Sequence, residues 1–176
     1  MPAGNTYEAI ATTTVSGTST TSVTFSSISS AYTDLYIVGQ CGISNNDYLT
    51  FRVGNNSVDT GSNYSYTWLE GYSGTASSGR STSNPKFYIG NNASIMNNSL
   101  DYSFYINIMN YSNTTTNKTV LNRIASNNSS FPGATASVGL WRSTSAINIV
   151  TIAPDTSDGR YFIAGSTFSL YGIKAA

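Results

Sequence analysis

Apolar and polar residues alternate along most of this chain. Val23-Thr-Phe25 and Leu49-Thr-Phe51-Arg-Val53 put an apolar side chain at every second position, as do Phe87-Tyr-Ile89 and Tyr102–Ile108, and Val120-Leu-Asn-Arg-Ile124 keeps the period with Asn122 at its middle position. The same period returns near the end in Ile147–Ile152 and Phe168–Ile173. Successive side chains of a strand point to opposite faces, so this pattern predicts strands buried on one side. No window sustains a period of 3.6 through three helical turns. Thr, Tyr, Val, Ile and Phe dominate the alternating segments, and these residues fit a pleated surface. The reading is all-β.

Turn-forming clusters punctuate the strands: Ser44–Asp47, Gly54–Ser57, Gly61–Asn63, Asn91-Asn92 and Asp155–Gly159. Asn and Asp bond their own backbone and tolerate the left-handed region, and Gly enters it freely. The spacing gives about nine to eleven strands, a density typical of sandwiches and barrels. Two antiparallel sheets packed face to face in a jelly-roll-like order fit best. The weakly apolar stretch Gly71–Pro85 reads as an exposed loop. Asp101–Asn110 reads as one long strand, which hints that another copy covers one of its faces. The domain reading is a short N-terminal arm at 1–6 and a single β-sandwich domain over 7–176.

Composition then narrows the chemistry. Eight Lys and Arg balance eight Asp and Glu, only 9% of residues are charged, and there is no histidine. Such a chain cannot neutralise a row of phosphates, so nucleic acid is not the expected partner. Without His, and with Cys41 alone, the usual zinc ligand sets and His-dependent catalytic centres are excluded. No cofactor is implied. No segment is apolar enough to span a membrane as a helix, and Met1–Asn5 lacks the basic start of a secretory signal. Cys41, inside Leu35–Cys41, reads as a buried core thiol of a protein made in a reducing cytosol. Ser, Thr and Asn make up about two residues in five. A surface of this kind binds by shape and hydrogen bonds, nearly indifferent to salt.

Carboxylate pairs are the remaining catalytic chemistry to weigh, because two acids suffice for glycoside hydrolysis. Asp34, Asp47, Asp59, Glu70 and Asp101 are available, with Glu70 the most suggestive beside Tyr66 and Trp68. No spacing signature links them, and the simpler reading is that they cap turns and pair with Arg52, Arg80 or Arg123. No catalytic residue is assigned. Asp155–Gly159 lacks the ligands of a calcium loop and reads as a turn. Trp68, Tyr64, Tyr66, Tyr72 and Trp141 are the candidate contact residues, either for a glycan, whose apolar faces pack on aromatic rings, or for a protein partner.

Two segments carry a resemblance: Asp59-Thr-Gly-Ser-Asn-Tyr-Ser-Tyr-Thr-Trp-Leu-Glu-Gly71 and Ala164-Gly-Ser-Thr-Phe-Ser-Leu-Tyr-Gly-Ile-Lys174. Together with Asn5–Thr12, Val23–Ile28 and Tyr32–Ile37, they resemble small virion structural proteins of tailed bacteriophages, including marine and cyanobacterial ones. The resemblance implies a non-enzymatic β-sandwich of the particle, made in the host cytoplasm and located in the virion. The β pattern begins by Tyr7 and ends by Ile173, which leaves no room for a fibre shaft. The expected role is therefore a capsid decoration (cement) protein, acting as a homotrimer on the major capsid protein or another virion protein. The alternative is a tail-fibre or tail-tip module that binds a host-surface glycan.

Overall fold

The computed structural model describes residues 6–89, 95–126, 129, 132–155 and 159–174. All of the expected arm except Thr6 lies outside them, as do Asn91-Asn92 and most of the Asp155–Gly159 turn. Among the described residues there are strands and turns and no helix. The fold is two antiparallel sheets packed face to face.

The first sheet has eight strands. In spatial order they are β1 (Tyr7–Thr14), β14 (Thr167–Ile173), β3 (Asp34–Cys41), β10 (Tyr102–Ile108), β11 (Lys118–Ser126), β12 (Gly133–Trp141), β6 (Tyr64–Tyr72) and β7 (Thr75–Asn84). The second sheet runs β2 (Val23–Phe25), β13 (Ile149–Pro154), β4 (Asp47–Asn55) and β5 (Ser57–Val58). Two short strands, β8 (Phe87–Tyr88) and β9 (Ile95–Met96), also lie along β4.

Taken as one interrupted strand, β8 and β9 complete a jelly roll. Its eight strands in chain order are β1, β2, β3, β4, β8/β9, β10, β13 and β14. The first, eighth, third and sixth lie side by side in one sheet; the second, seventh, fourth and fifth lie in the other. This order arises because every consecutive pair except the fourth and fifth crosses between sheets, which buries both inner faces together. The jelly-roll expectation therefore holds, with an addition. Two hairpins, β6–β7 and β11–β12, are inserted between jelly-roll strands and pair with each other through β12 and β6. They extend the first sheet into a four-stranded wing.

The core follows from the alternation. Leu35, Ile37, Ile106, Ile108, Phe168 and Leu170 of the first sheet meet Leu49, Phe51, Val53, Val150 and Ile152 of the second, all essentially without solvent exposure. Cys41 is buried among them, as expected of a core thiol.

One sequence expectation fails clearly. Gly71–Pro85 is not a loop; most of it is β7, ten residues of edge strand. Its sequence, Thr-Ala-Ser-Ser-Gly-Arg-Ser-Thr-Ser-Asn, shows no apolar alternation because most positions are solvent-exposed and none is buried. The hairpin with β6 creates it. Ser73 and Gly74 both have positive φ, 48° and 80°, the two-residue turn whose twist matches paired strands. The long strand expected over Asp101–Asn110 is shorter, Tyr102–Ile108, and another strand of the same chain flanks it on each side.

Candidate functional site

Strand parity separates the wing into two faces. On the inner face β6 carries Tyr64, Tyr66, Trp68, Glu70 and Tyr72, opposite Trp141, Gly139, Ser137, Thr135 and Gly133 of β12. The outer face carries the residues between them, arranged in rows across the strands. One row is Tyr105, Arg123, Ala136, Leu69 and Ser78; the next is Asn107, Leu121, Val138, Thr67 and Arg80.

The sequence-derived candidates fall on the inner face, and the structure splits them. Tyr64 and Trp141 are buried, with 0% and 2% exposure, and present no ring to a partner. Tyr64 packs edge-on against Phe87 at 4.8 Å, and its hydroxyl lies 2.8 Å from the Asp59 carbonyl and 3.0 Å from that of Val53. Trp141 donates its indole N–H to Asp59. Both are structural residues, so the five aromatics do not form one platform. Tyr66, Trp68 and Tyr72 remain half-buried. Trp68 lies 5.7 Å from Tyr66, which is 5.8 Å from Tyr88, which in turn meets Tyr48 edge-on at 5.9 Å. At this row's end Asp155 accepts the Tyr88 hydroxyl at 2.8 Å and pairs with Lys86 at 2.5 Å.

The candidate acids are engaged in structural hydrogen bonds and ion pairs, Asp101 with the Ser99 hydroxyl. Glu70 is buried and accepts the Ser77 hydroxyl at 2.7 Å. Asp34 accepts the Asn110 amide, Asp47 pairs with Arg160, and Asp59 accepts three donors at the turn before β6. Turn-capping is as expected, but the arginines differ from those read off the sequence. Among the described residues, ion pairs use Lys86, Arg160 and Lys174, whereas Arg52 donates to the Pro85 carbonyl. Among the described residues no group of three His, Cys, Asp or Glu side chains is placed to hold a metal ion.

The outer face supplies a surface that the sequence reading missed. Leu69, Val138 and Leu121 are large apolar side chains with 66%, 50% and 38% exposure. Beside them the sheet forms an open concavity of about 690 Å³ lined by Tyr36, Val38, Leu69, Tyr105, Arg123 and Ala136, among others. Tyr36 stacks on Tyr105 at 5.4 Å, and the Arg123 guanidinium lies 5.7 Å from the Tyr105 ring centre. Desolvation in this row, with Tyr105 and Tyr7 beside it, raises the Tyr36 hydroxyl above its ordinary value. Alanines fill the adjoining positions Ala125, Ala134 and Ala76. The signal in the sequence was the break in alternation. Trp68-Leu69 and Val120-Leu121 set two apolar residues side by side, which in a strand puts one on each face.

Fold and surface thus define a jelly-roll β-sandwich whose widened sheet bears an exposed apolar hollow. No protein-family model and no curated protein sequence matches the chain. Among solved structures it is similar to CG-16, a homodimeric agglutinin from chicken liver. The identity is 8%, the TM-score 0.37, and the match covers 84% of this chain and 98% of that one.

Proposed function

We propose that this chain is a non-enzymatic structural protein of a phage particle, a capsid decoration protein that docks through the outer face of its wing. The observation that carries the docking surface is the exposure of Leu69, Val138 and Leu121 together on one sheet face. Neighbouring large apolar side chains at an open concavity are the surface that protein partners cover. The hollow is poor in polar groups, which suits a protein better than a sugar, whose hydroxyls need fixed hydrogen-bond partners. The virion assignment rests on the sequence resemblance. A trimer would multiply a modest contact by engaging three shell subunits at once. Bound protein then stabilises the shell by mass action.

The test is attachment to particles that lack the protein, scored by co-sedimentation and by the temperature at which the heads release DNA. Wild type should bind and raise that temperature. Leu69→Glu and Val138→Glu, both at exposed positions, should fold and fail to bind. Attachment unchanged in both variants would sink the docking face, and absence of wild-type attachment would sink the decoration role.

A second reading, a glycan-binding tail module, is favoured by the half-buried row Trp68, Tyr66, Tyr88 and Tyr48 with the polar pair Lys86–Asp155 at its end. A glycan array with wild type and Trp68→Ala tests it. Binding lost in the variant supports this reading, and no binding by wild type removes it.

A further inference from the structure

Each of the eight Lys and Arg side chains in the sequence lies within the described residues. Lys86, Arg160 and Lys174 pair with Asp155, Asp47 and Glu8. Arg52 donates to the Pro85 carbonyl, Arg142 to that of Ser62, and buried Lys118 to those of Thr116 and Thr144. Arg80 and Arg123 meet neither a carboxylate nor a carbonyl among the described residues; Arg123 lies over the Tyr105 ring, with Tyr36 near enough to feel its charge. These two stand on the outer face of the wing. No acid shares that face of β10, β11, β12, β6 or β7, because Glu70, the one acidic residue of these strands, points inward.

Their placement is specific. Arg123 on β11 and Arg80 on β7 are three strands apart and one row apart, with Leu69 and Val138 between them. At ~4.8 Å between strands and ~7 Å between rows, the two Cα atoms are about 16 Å apart. We propose that this face docks an extended acidic segment of a partner protein, in the pattern acid–x–apolar–x–acid. Residues i, i+2 and i+4 of an extended chain share one face, and i to i+4 spans about 13 Å. The arginine side chains close the remaining gap. Each terminal carboxylate then meets one guanidinium, and the central apolar residue lies over Leu69 and Val138. The inference rests on the reading of this face as a docking surface and names the chemistry of what docks there.

The test is an NMR titration of the isotope-labelled full chain with two synthetic peptides. One contains Asp-Thr-Leu-Thr-Asp and the other Asn-Thr-Leu-Thr-Asn. The acidic peptide should shift the amides of Leu69, Arg80, Arg123 and Val138. Its binding should weaken roughly fivefold in the R80Q/R123Q double variant, the fold-change two exposed ion pairs supply. It should also weaken several-fold between low and high salt, in contrast to the salt-indifferent binding expected from the composition of the surface as a whole. Both arginines are on the surface, so a well-dispersed spectrum of the double variant establishes that it folds. Equal affinity for the two peptides, shifts confined to another surface, or shifts produced by polygalacturonate and not by the peptide would overturn the proposal. Particle attachment abolished by Leu69→Glu but untouched by R80Q/R123Q would also overturn it, while leaving the docking face intact. Peptide binding without particle attachment would support the acidic segment and count against decoration alone.

Discussion

The indole N–H of Trp141 donates to Oδ2 of Asp59 at 2.8 Å. The same carboxylate accepts Asn63 Nδ2 and the Gly61 amide, each at 2.8 Å. One acid thereby ties the end of β12 to the turn that launches β6, the point where the two inserted hairpins meet. Trp141→Phe keeps a buried ring but strips a donor from a carboxylate. It should cost about 1.5–3 kcal/mol in urea denaturation, the range for a hydrogen bond to a charged group. A loss under ~0.5 kcal/mol would mean the bond contributes little to joining the hairpins.

The same site sets a pH dependence. Burial opposes ionisation of Asp59, but the donors from Trp141, Asn63 and Gly61 outweigh it and hold the carboxyl below its ordinary value of 3.8. A carboxyl depressed in the folded state stabilises above the unfolded value, and that contribution is lost as pH falls through the folded one. The stability gap between wild type and Asp59→Asn should stay constant near neutrality and shrink below about pH 4. Thermal melts of both proteins across that range check it, and a gap that widens in acid would contradict it.

Gly139 and Gly79 test how rigid each ring beside them is. A Cβ on Gly139 would lie 2.4 Å from Phe87 Cε1, and Phe87 is locked between Phe51 and Tyr64 at 4.7 and 4.8 Å. A Cβ on Gly79 would lie 2.4 Å from Trp68 Cζ2, but Trp68, unlike Phe87, is only half-buried. Gly139→Ala should cost about 1–3 kcal/mol as overpacking, and Gly79→Ala clearly less. Similar losses in chemical denaturation would show Trp68 to be as fixed as Phe87.

Thr135 is 3% exposed, and its Oγ1 finds no hydrogen-bond partner among the described residues. Its neighbour Ser137 donates to Asn122 Oδ1 at 2.6 Å. Thr135→Val should be neutral or stabilise by up to ~1 kcal/mol, because it removes a buried hydroxyl that makes no bond. Ser137→Ala should destabilise by about 1 kcal/mol, since it leaves the Asn122 oxygen unpaired. Reversal of that order in a paired melting experiment would refute the assignment.

Burial also pushes the Cys41 thiol well above its ordinary value. The thiolate is the reactive species, so alkylation of the native protein should be negligible at pH 8 and should proceed at the rate of unfolding. Iodoacetamide labelling followed by mass spectrometry checks this. Rapid labelling in native buffer would place the thiol in reach of solvent.

The jelly-roll strands were legible because each buries one face, so Tyr102–Ile108 and Phe168–Ile173 carry the alternation openly. β7 was not, because an edge strand exposed on both sides has no apolar period to show; its evidence is the Ser73-Gly74 turn. Tyr64 and Trp141 looked like contact residues because composition says which rings exist and not which way they point. Leu69 and Leu121 were passed over for the converse reason: a run of two apolar residues reads as extra core until the strand's parity is known. The stray arginines were invisible, since whether Arg80 or Arg123 has a partner depends on neighbours far away in sequence.

The wing consists of two hairpins supplied by separate parts of the chain, and the eight jelly-roll strands pair fully without either. Its inner face is held by the packing of Phe87, Tyr64 and Trp141, while its outer face supports nothing behind it. Side chains such as Leu69, Val138, Arg80 and Arg123 are therefore replaceable one at a time without disturbing the fold. A protein built this way gains or changes a partner by redecorating four strands, and the jelly roll beneath serves as an unchanging chassis.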